Sequence, residues 1–354
     1  MKFPELSEIK TFHGARESSS PADRLDRVRG AATDLRSQLL EGPKVLYYET
    51  FDLIRVPYPT KFGFLNACSV PTPFVHIVNK MCVIQVNSVS GIKTILVSPS
   101  DTVANAETPF FKRMTPESGG LSKVAKKFLA PDLGGVEASL KGLGISPRDI
   151  DYITYDHLHT QDLRKWLGSH GRPGLFPNAK LLVMEQEWAS TKALLPPQRD
   201  WYCPQGLDGI PDEKVVRLQS SVMVGEGLAL IQTPGHTEGN HSIVAHTDDG
   251  LFVTSENGIG PDSYAPHLSN IPGLRRYVAE TGMEVVLNGN TLEGGLDQYV
   301  SMVLEKTLAG LSPQHPGFYN VVSSSELRAY WGFPGIKPTA SFGKLKYGAL
   351  RKPA

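Results

Sequence analysis

The stretch that decides the fold is residues 152–166, which read YITYDHLHTQDLRKW. Its first four residues are β-branched or aromatic, and such residues favour a half-buried strand. Polar residues then follow, with Leu163 and Trp166 at helical spacing, so a strand ends and a helix begins here. His157 and His159 stand at this junction and project from the same side of an extended segment. Because neutral imidazole is the commonest protein ligand for metals, the pair predicts half of a tetrahedral metal site.

Two further predicted strand ends carry residues that bind metals. His236 lies in a tight PGHT turn directly after the apolar run 228–231, and Glu256 follows the apolar run 251–254. An isolated His-x-His pair is also compatible with a solvated loop that holds one structural histidine. Three strand ends that carry His-x-His, His and a carboxylate favour the metal site.

The order and spacing of these residues resemble those of the metallo-β-lactamase superfamily. That family has an HxHxDH motif at a strand end, then a PGHT-type histidine, a bridging acid and a last histidine. The resemblance covers roughly residues 73–310, and residues 177–188 resemble the strand and helix that follow the motif in lactonase-like members. It implies an α/β or α+β fold of the four-layer αββα type. The predicted succession of two strand sets, each with helices, also favours such a sandwich over a doubly wound sheet.

The chain departs from the family pattern where a second metal ion would bind. Gln161 stands where the family has its Asp, Asp162 where it has a clustered His, and Asn290 where it has its last His. The bridging position carries Glu256 instead of Asp. Neutral amides bind divalent cations less strongly than carboxylates or imidazoles do. We therefore expect about one tightly bound ion per chain, with any second ion weakly held.

The resemblance implies a first metal position formed by His157, His159 and His236 and bridged or completed by Glu256. A divalent transition metal is expected there, with zinc first and iron or manganese as alternatives. The resemblance gives Asp162 the role of a ligand to a second metal or of a general base. Since Asp162 also falls at a predicted helix start, where an anionic side chain is favoured, a helix-capping acid is the alternative.

Four other residues are weaker candidates for the site. Gln161 and Asn290 would be weak ligands or neighbours of the ligands. His241, in the sequence GNHS, either supports His236 or has a structural role at a strand start, and we favour the structural role. His267, in a proline-containing loop, is a candidate for a more distant contact with the metal pocket or the substrate.

The candidate site predicts metal-assisted hydrolysis. A bound divalent cation polarises a carbonyl or phosphoryl oxygen and activates water near neutral pH. A family-like substrate would be a small-molecule ester, lactone or amide. Two alternatives stay open: a mononuclear iron oxygenase or oxidase that uses His157, His236 and Glu256 as a 2-His-1-carboxylate set, and a non-catalytic binding protein that has kept the fold.

Composition and charge limit the possible partners. The 36 basic and 36 acidic side chains give no net charge, so there is no electrostatic case for nucleic acid or an acidic membrane. No run approaches the roughly 20 apolar residues of a membrane span, and no glycine motif for a nucleotide cofactor is present. The three widely spaced cysteines predict free thiols in a reducing compartment. Without an apolar targeting segment at the N-terminus, we expect a cytoplasmic protein.

Three segments are predicted along the chain. Residues 1–43 form an N-terminal extension with an amphipathic helix, residues 44–310 form the metallo-β-lactamase-like domain, and residues 311–354 form a tail that packs on it. The apolar stripe of the helix is expected to pack on its own domain or, alternatively, on a second subunit of a homodimer. Residues 99–120 form a long polar loop, which is either a lid over the site or a linker.

Overall fold

The computed structural model describes residues 3–114, 130–290, 293–331 and 335–351. The strands in these ranges are β1 Leu6–Glu8, β2 Tyr47–Pro59, β3 Phe74–Val86, β4 Lys93–Val97, β5 Tyr152–Thr154, β6 Gly168–Ser169, β7 Arg172–Pro173, β8 Lys180–Met184, β9 Val215–Leu218, β10 Val222–Val224, β11 Leu228–Gln232, β12 His241–Thr247, β13 Gly250–Thr254, β14 Val321–Val322, β15 Ser325–Arg328 and β16 Lys346–Gly348. The α-helices are α1 Pro21–Glu41, α2 Thr60–Gly63, α3 Pro109–Met114, α4 Val136–Leu143, α5 Arg164–Leu167, α6 Glu185–Lys192, α7 Pro261–Tyr264, α8 Leu274–Thr281 and α9 Gly295–Ala309.

The described strands form two mixed sheets and a short hairpin of β6 with β7. In one sheet the order is β1-β10-β11-β12-β13-β14, and in the other it is β16-β2-β3-β4-β5-β8-β9, with β15 also paired to β3. The neighbours β4, β5, β8 and β9 run parallel. Parallel strands need crossover connections, and α4 and α6 lie in two of them. The segment that follows β5 therefore emerges at the same edge of the sheet as the start of α6.

Adjacent residues of one strand face different cores, which shows how the layers stack. Ile84 of β3 and Leu230 of β11 belong to the apolar cluster between the sheets. Their neighbours Val83 and Ala229 face outward, Val83 toward the cluster that includes α4 and α5, and Ala229 toward the cluster that includes α1 and α9. This alternation follows from the two-residue period of a strand. Helices thus cover the outer face of each sheet, and the predicted four-layer αββα sandwich is confirmed.

Both ends of the chain contribute strands to the sheets. β1 pairs with β10 at one edge, and β14, β15 and β16 come from the C-terminal segment. Strands from both ends thus join the two sheets and satisfy backbone groups there, and the division of the chain at residues 43 and 310 stays a prediction. The predicted amphipathic helix is α1, and it buries Val28, Ala32, Leu35 and Leu39 against its own domain.

The segment predicted as a lid or linker is partly ordered in helices. Residues 99–114 contain a 3-10 turn, Asn105–Glu107, and α3, whose Phe110 ring stacks on Trp201 with 4.2 Å between ring centroids. Residues 115–120 lie outside the described residues. Among the helices that the structure describes, none is long and apolar enough to cross a membrane.

Candidate metal centre

Three histidines from two loops converge beyond the end of β5. His157 and His159 follow β5, and His236 lies in the loop between β11 and β12. The ring centroids are 4.8 Å apart for His157 and His159, 4.7 Å for His157 and His236, and 5.0 Å for His159 and His236. Each ring offers one nitrogen, and these nitrogens lie within 4.8 Å of one another. The structure thus brings together the three histidines that the motifs predicted as ligands.

The nitrogens of these rings fit a divalent cation. Both ring nitrogens of His159 are buried and have no hydrogen-bond partner within the described part of the chain. Burial holds the pKa of His159 well below its ordinary value and lowers the pKa of His236 to about 3, so both rings are neutral. Nδ1 of His236 lies 3.4 Å from the carbonyl oxygen of Asn288, a contact of the kind that orients metal-binding imidazoles. Three buried imidazoles that converge in this way are typical of a zinc site.

Asp156, which the sequence analysis did not select, holds the first of these histidines. Its Oδ1 lies 3.2 Å from Nδ1 of His157, and its Oδ2 accepts a 2.8 Å hydrogen bond from the Ser324 hydroxyl. Burial lowers the pKa of His157, but the Asp156 carboxylate outweighs it and raises that pKa to about 9. A carboxylate on one ring nitrogen directs the other nitrogen of a histidine toward a metal. The signal in the sequence is the acid immediately before the His-x-His pair.

Glu256 lies beside the three histidines. It forms a second group with Asp156 and His157, whose ligand atoms also lie within 4.8 Å of one another. Its Oε2 is 3.2 Å from the hydroxyl oxygen of Ser324, and burial raises its pKa to about 7. The carboxylate at the predicted bridging position is therefore next to His157 and faces the cavity described below.

Asp162 does not belong to either group of candidate ligands. Its carboxylate accepts from Nε of Arg164 at 3.0 and 3.1 Å and from a terminal guanidinium nitrogen of the same residue. It also accepts from the backbone N–H of Arg164, the first residue of α5, at 3.0 Å. The structure thus places Asp162 at a helix start, where it pairs with a cation of the chain itself. The sequence interpretation as a ligand or general base has no support from this geometry.

The two amides at the second metal position of the family both line the cavity. Oε1 of Gln161 accepts hydrogen bonds from Ser100 at 3.2 Å and from Asn105 at 3.1 Å, so its oxygen is already used. Asn290 is largely buried, and its Oδ1 has no hydrogen-bond partner among the described residues.

The remaining two histidine candidates lie apart from the cluster of three. His241 is buried, with Nε2 3.0 Å from the Thr154 hydroxyl, and its backbone N–H donates to the carbonyl oxygen of Asp156 at 2.9 Å. Burial lowers its pKa to about 4. It thus lies at the start of β12 and contacts the end of β5. His267 is exposed in the turn Pro266–Leu268 and is not among the residues that line the cavity, so a contact with the pocket is not supported.

A cavity of about 180 Å³ leads to His157 and His159. Its walls are mainly apolar and come from β2, β3, α3 and the loop around Trp201; they include Ile54, Val56, Tyr58, Ile77, Phe111 and Trp201. Polar groups lie at its base, where Asp156, Glu256 and Ser324 meet the histidines. Such a pocket suits a ligand with an apolar body and one polar, reactive end.

The chain resembles known lactonases in sequence. It is 30% identical over 142 residues to N-acyl homoserine lactonase AttM of Rhizobium radiobacter, which covers 36% of this chain and 47% of that protein. It is 25% identical over 114 residues to an N-acyl homoserine lactonase of Bacillus cereus, which covers 32% of this chain and 40% of that protein. The chain thus spans less than half the length of these relatives. No protein-family model matches the chain.

The fold is shared with solved structures. The crystal structure of a probable metal-dependent hydrolase from Staphylococcus aureus covers 88% of this chain and 99% of its own, with a TM-score of 0.53 and 12% sequence identity. At this identity the likeness concerns the fold. Together with the sequence similarity to lactonases, it confirms the predicted resemblance to a divergent, lactonase-like member of the metallo-β-lactamase superfamily.

Proposed function

We propose that this protein is a metal-dependent hydrolase that opens lactones, or cleaves related small esters, carrying an apolar substituent. One observation carries the proposal: three buried imidazoles present nitrogens within 4.8 Å of one another, and two of them, His157 and His159, line a cavity with mainly apolar walls. The similarity to proteins named N-acyl homoserine lactonases supports a lactone as the reacting group.

His157, His159 and His236 would hold one divalent cation, and zinc suits three neutral nitrogen ligands best. Such a cation, when bound, supplies Lewis acidity toward the carbonyl oxygen of the ester. The residues at the family's second metal position support a single tightly bound ion. There Asp162 is neutralised by Arg164, and the remaining side chains are amides.

The other steps of the reaction would depend on residues of the chain. Asp156 orients His157 through its Nδ1, and the apolar walls exclude water and hold the substituent. The oxygen of the attacking water bonds to the carbonyl carbon while a Glu256 carboxylate oxygen takes one of its protons. The bond from carbon to the ring oxygen then breaks, and Glu256 returns the proton to that oxygen. The product is a hydroxy acid. The Ser324 hydroxyl oxygen, 3.2 Å from Oε2 of Glu256, lies next to this carboxyl group and would accept from it once it carries the proton.

The test combines metal content with activity. Plasma emission spectroscopy of wild-type protein purified without chelators should find about one divalent ion per chain. His157→Ala and His236→Ala should lose the ion, whereas the control His267→Ala, which removes an exposed histidine, should retain it. Full metal content in both variants of the cluster would remove the ligand assignment.

Activity is measured as acid release at constant pH from γ-lactones with acyl side chains, an aryl ester, a β-lactam and a phosphotriester. The lactones should be hydrolysed by the wild type and by His267→Ala, and not by the two metal-free variants. A metal-loaded wild type that hydrolyses no lactone or ester would contradict the proposal. Bound iron together with oxygen consumption would instead favour the oxygenase alternative.

A further inference from the structure

Glu187 is a buried carboxylate on α6 that the proposed chemistry does not use. Its side chain is fully buried, with 0% exposure, and burial raises its pKa. A carboxylate removed from water is costly unless its oxygens accept hydrogen bonds. The partners that Glu187 has in this structure therefore indicate what it is there to hold.

Both oxygens of Glu187 bind the loops that carry the histidines. Oε1 accepts a 2.7 Å hydrogen bond from the backbone N–H of Leu158, the residue between His157 and His159. Oε2 accepts a 2.6 Å hydrogen bond from the hydroxyl of Thr237, the residue after His236. One carboxylate thus joins the two loops at residues directly adjacent to the candidate ligands.

The loop that carries His236 also lies directly against the backbone of α6. A Cβ atom on Gly239 would lie 2.0 Å from the backbone nitrogen of Glu187, so only glycine allows this approach. The Gly239 N–H is a further hydrogen-bond donor to the Glu187 carboxylate. The PGHT loop is therefore fixed to α6 by both sterics and hydrogen bonds.

From this geometry we infer that Glu187 is a positioning residue that sets the distance between the two histidine loops before a cation binds; the inference rests on the proposed metal site. Three imidazoles that converge on one point repel one another, and no ion is needed for the clamp to act. Because the clamp is made of protein contacts alone, it holds the ligand nitrogens close together in the metal-free protein. Groups that orient metal ligands commonly change metal affinity by about 10- to 100-fold.

The experiment compares the variants Glu187→Gln, Glu187→Ala and Thr237→Val with a matched control, Glu185→Gln. Glu185 lies in the first turn of the same helix, but its side chain is 37% exposed and lies 4.0 Å from Arg217. Zn²⁺ is titrated into each metal-free protein by calorimetry, and Co²⁺ is added separately to record its visible absorption, which reports ligand geometry. Thermal unfolding of each metal-free protein is measured by circular dichroism.

We expect Glu187→Ala to bind Zn²⁺ about 10- to 100-fold more weakly than the wild type and to show an altered Co²⁺ spectrum. Thr237→Val and Glu187→Gln, which keep the side-chain volume and part of the hydrogen bonding, should show smaller losses in the same direction. Glu185→Gln should match the wild type. If Glu187→Ala does not fold, the two volume-preserving variants carry the test.

Two results would overturn the inference, and only the second would also remove the proposed metal site. Variants with a lowered unfolding temperature but wild-type Zn²⁺ affinity and Co²⁺ spectrum would show that Glu187 only stabilises the fold, and the metal site would stand. A wild type that binds neither Zn²⁺ nor Co²⁺ would remove the proposed metal site and the positioning role together.

Discussion

Replacement of Asp162 by Asn distinguishes between two roles of this residue, that of a metal ligand and that of a partner in an ion pair. Asp162 is 2% exposed, and its two oxygens receive the guanidinium and the backbone N–H of Arg164. Asn keeps the volume and an acceptor for the backbone N–H, but it removes the negative charge. The variant therefore reports on the ion pair and leaves the start of α5 capped.

The size of the effect follows from how deeply the pair is buried. An exposed ion pair contributes about 0.2–1 kcal/mol, whereas removing one partner of a fully buried pair costs about 3–5 kcal/mol. The Asp162 side chain is 3% exposed but that of Arg164 is 36% exposed, so water screens one partner. We expect Asp162→Asn to lower the free energy of unfolding of the metal-free protein by about 2 kcal/mol, between these limits. The zinc content of the metal-loaded protein should not change.

The assay is urea unfolding of metal-free Asp162→Asn, Arg164→Gln and the double variant, with metal content measured in parallel. The two single changes should share an interaction energy of about 1–2 kcal/mol. As a control, Asp212→Asn removes an ion pair with Arg217 whose side chains are 81% and 40% exposed, and its effect should stay within about 0.5 kcal/mol. Loss of zinc by Asp162→Asn with unchanged stability would refute the reasoning and restore Asp162 as a ligand.

Three further predictions concern other parts of the fold. A hydrogen bond from Arg29 is the main reason that the pKa of Glu284 is lowered to about 2 from 4.5, so its stabilisation is present above pH 4.5 and lost as the pH falls toward 2. Over that window the unfolding free energy of the wild type should fall more steeply than that of Glu284→Gln, and parallel curves would contradict this. Trp201→Ala should raise KM more for long-chain than for acetyl esters, because it removes a cavity wall; equal increases would count against it. Ser324→Ala should lower kcat for lactones about tenfold with little change in KM, because Glu256 loses its neighbouring hydroxyl, and an unchanged kcat would argue against that role.

The positions of the three histidines could be predicted because they depend on local geometry. A strand that ends in His-x-His places both rings on one side, and a tight PGHT turn after another strand fixes His236. The sandwich itself followed from two sets of strands, each with helices. In each case the information lies within a few residues of the feature that it predicts.

The supports of the site could not be predicted in the same way. The Ser324 hydroxyl that contacts Asp156 is 168 residues away in the chain, in the segment predicted to be a tail. No periodicity or spacing links two such positions, because their contact exists only after the sheets have packed. The Glu187 clamp has the same character on a shorter scale, since its two partner loops are 29 and 50 residues away.

The substituted family positions carry contacts of their own. Gln161 is held by Ser100 and Asn105, and the charge of Asp162 is met by Arg164, so this part of the second position is closed by the chain itself. The first position differs, because both nitrogens of His159 remain without a hydrogen-bond partner among the described residues. A buried polar atom without a partner is costly, and a cation held by the histidines would remove that cost at His159. Restoring the family's ligands at the second position would therefore not be sufficient for a second ion. Replacing Asp162 would take the carboxylate away from the guanidinium of Arg164. That guanidinium would remain at the second position and repel the cation.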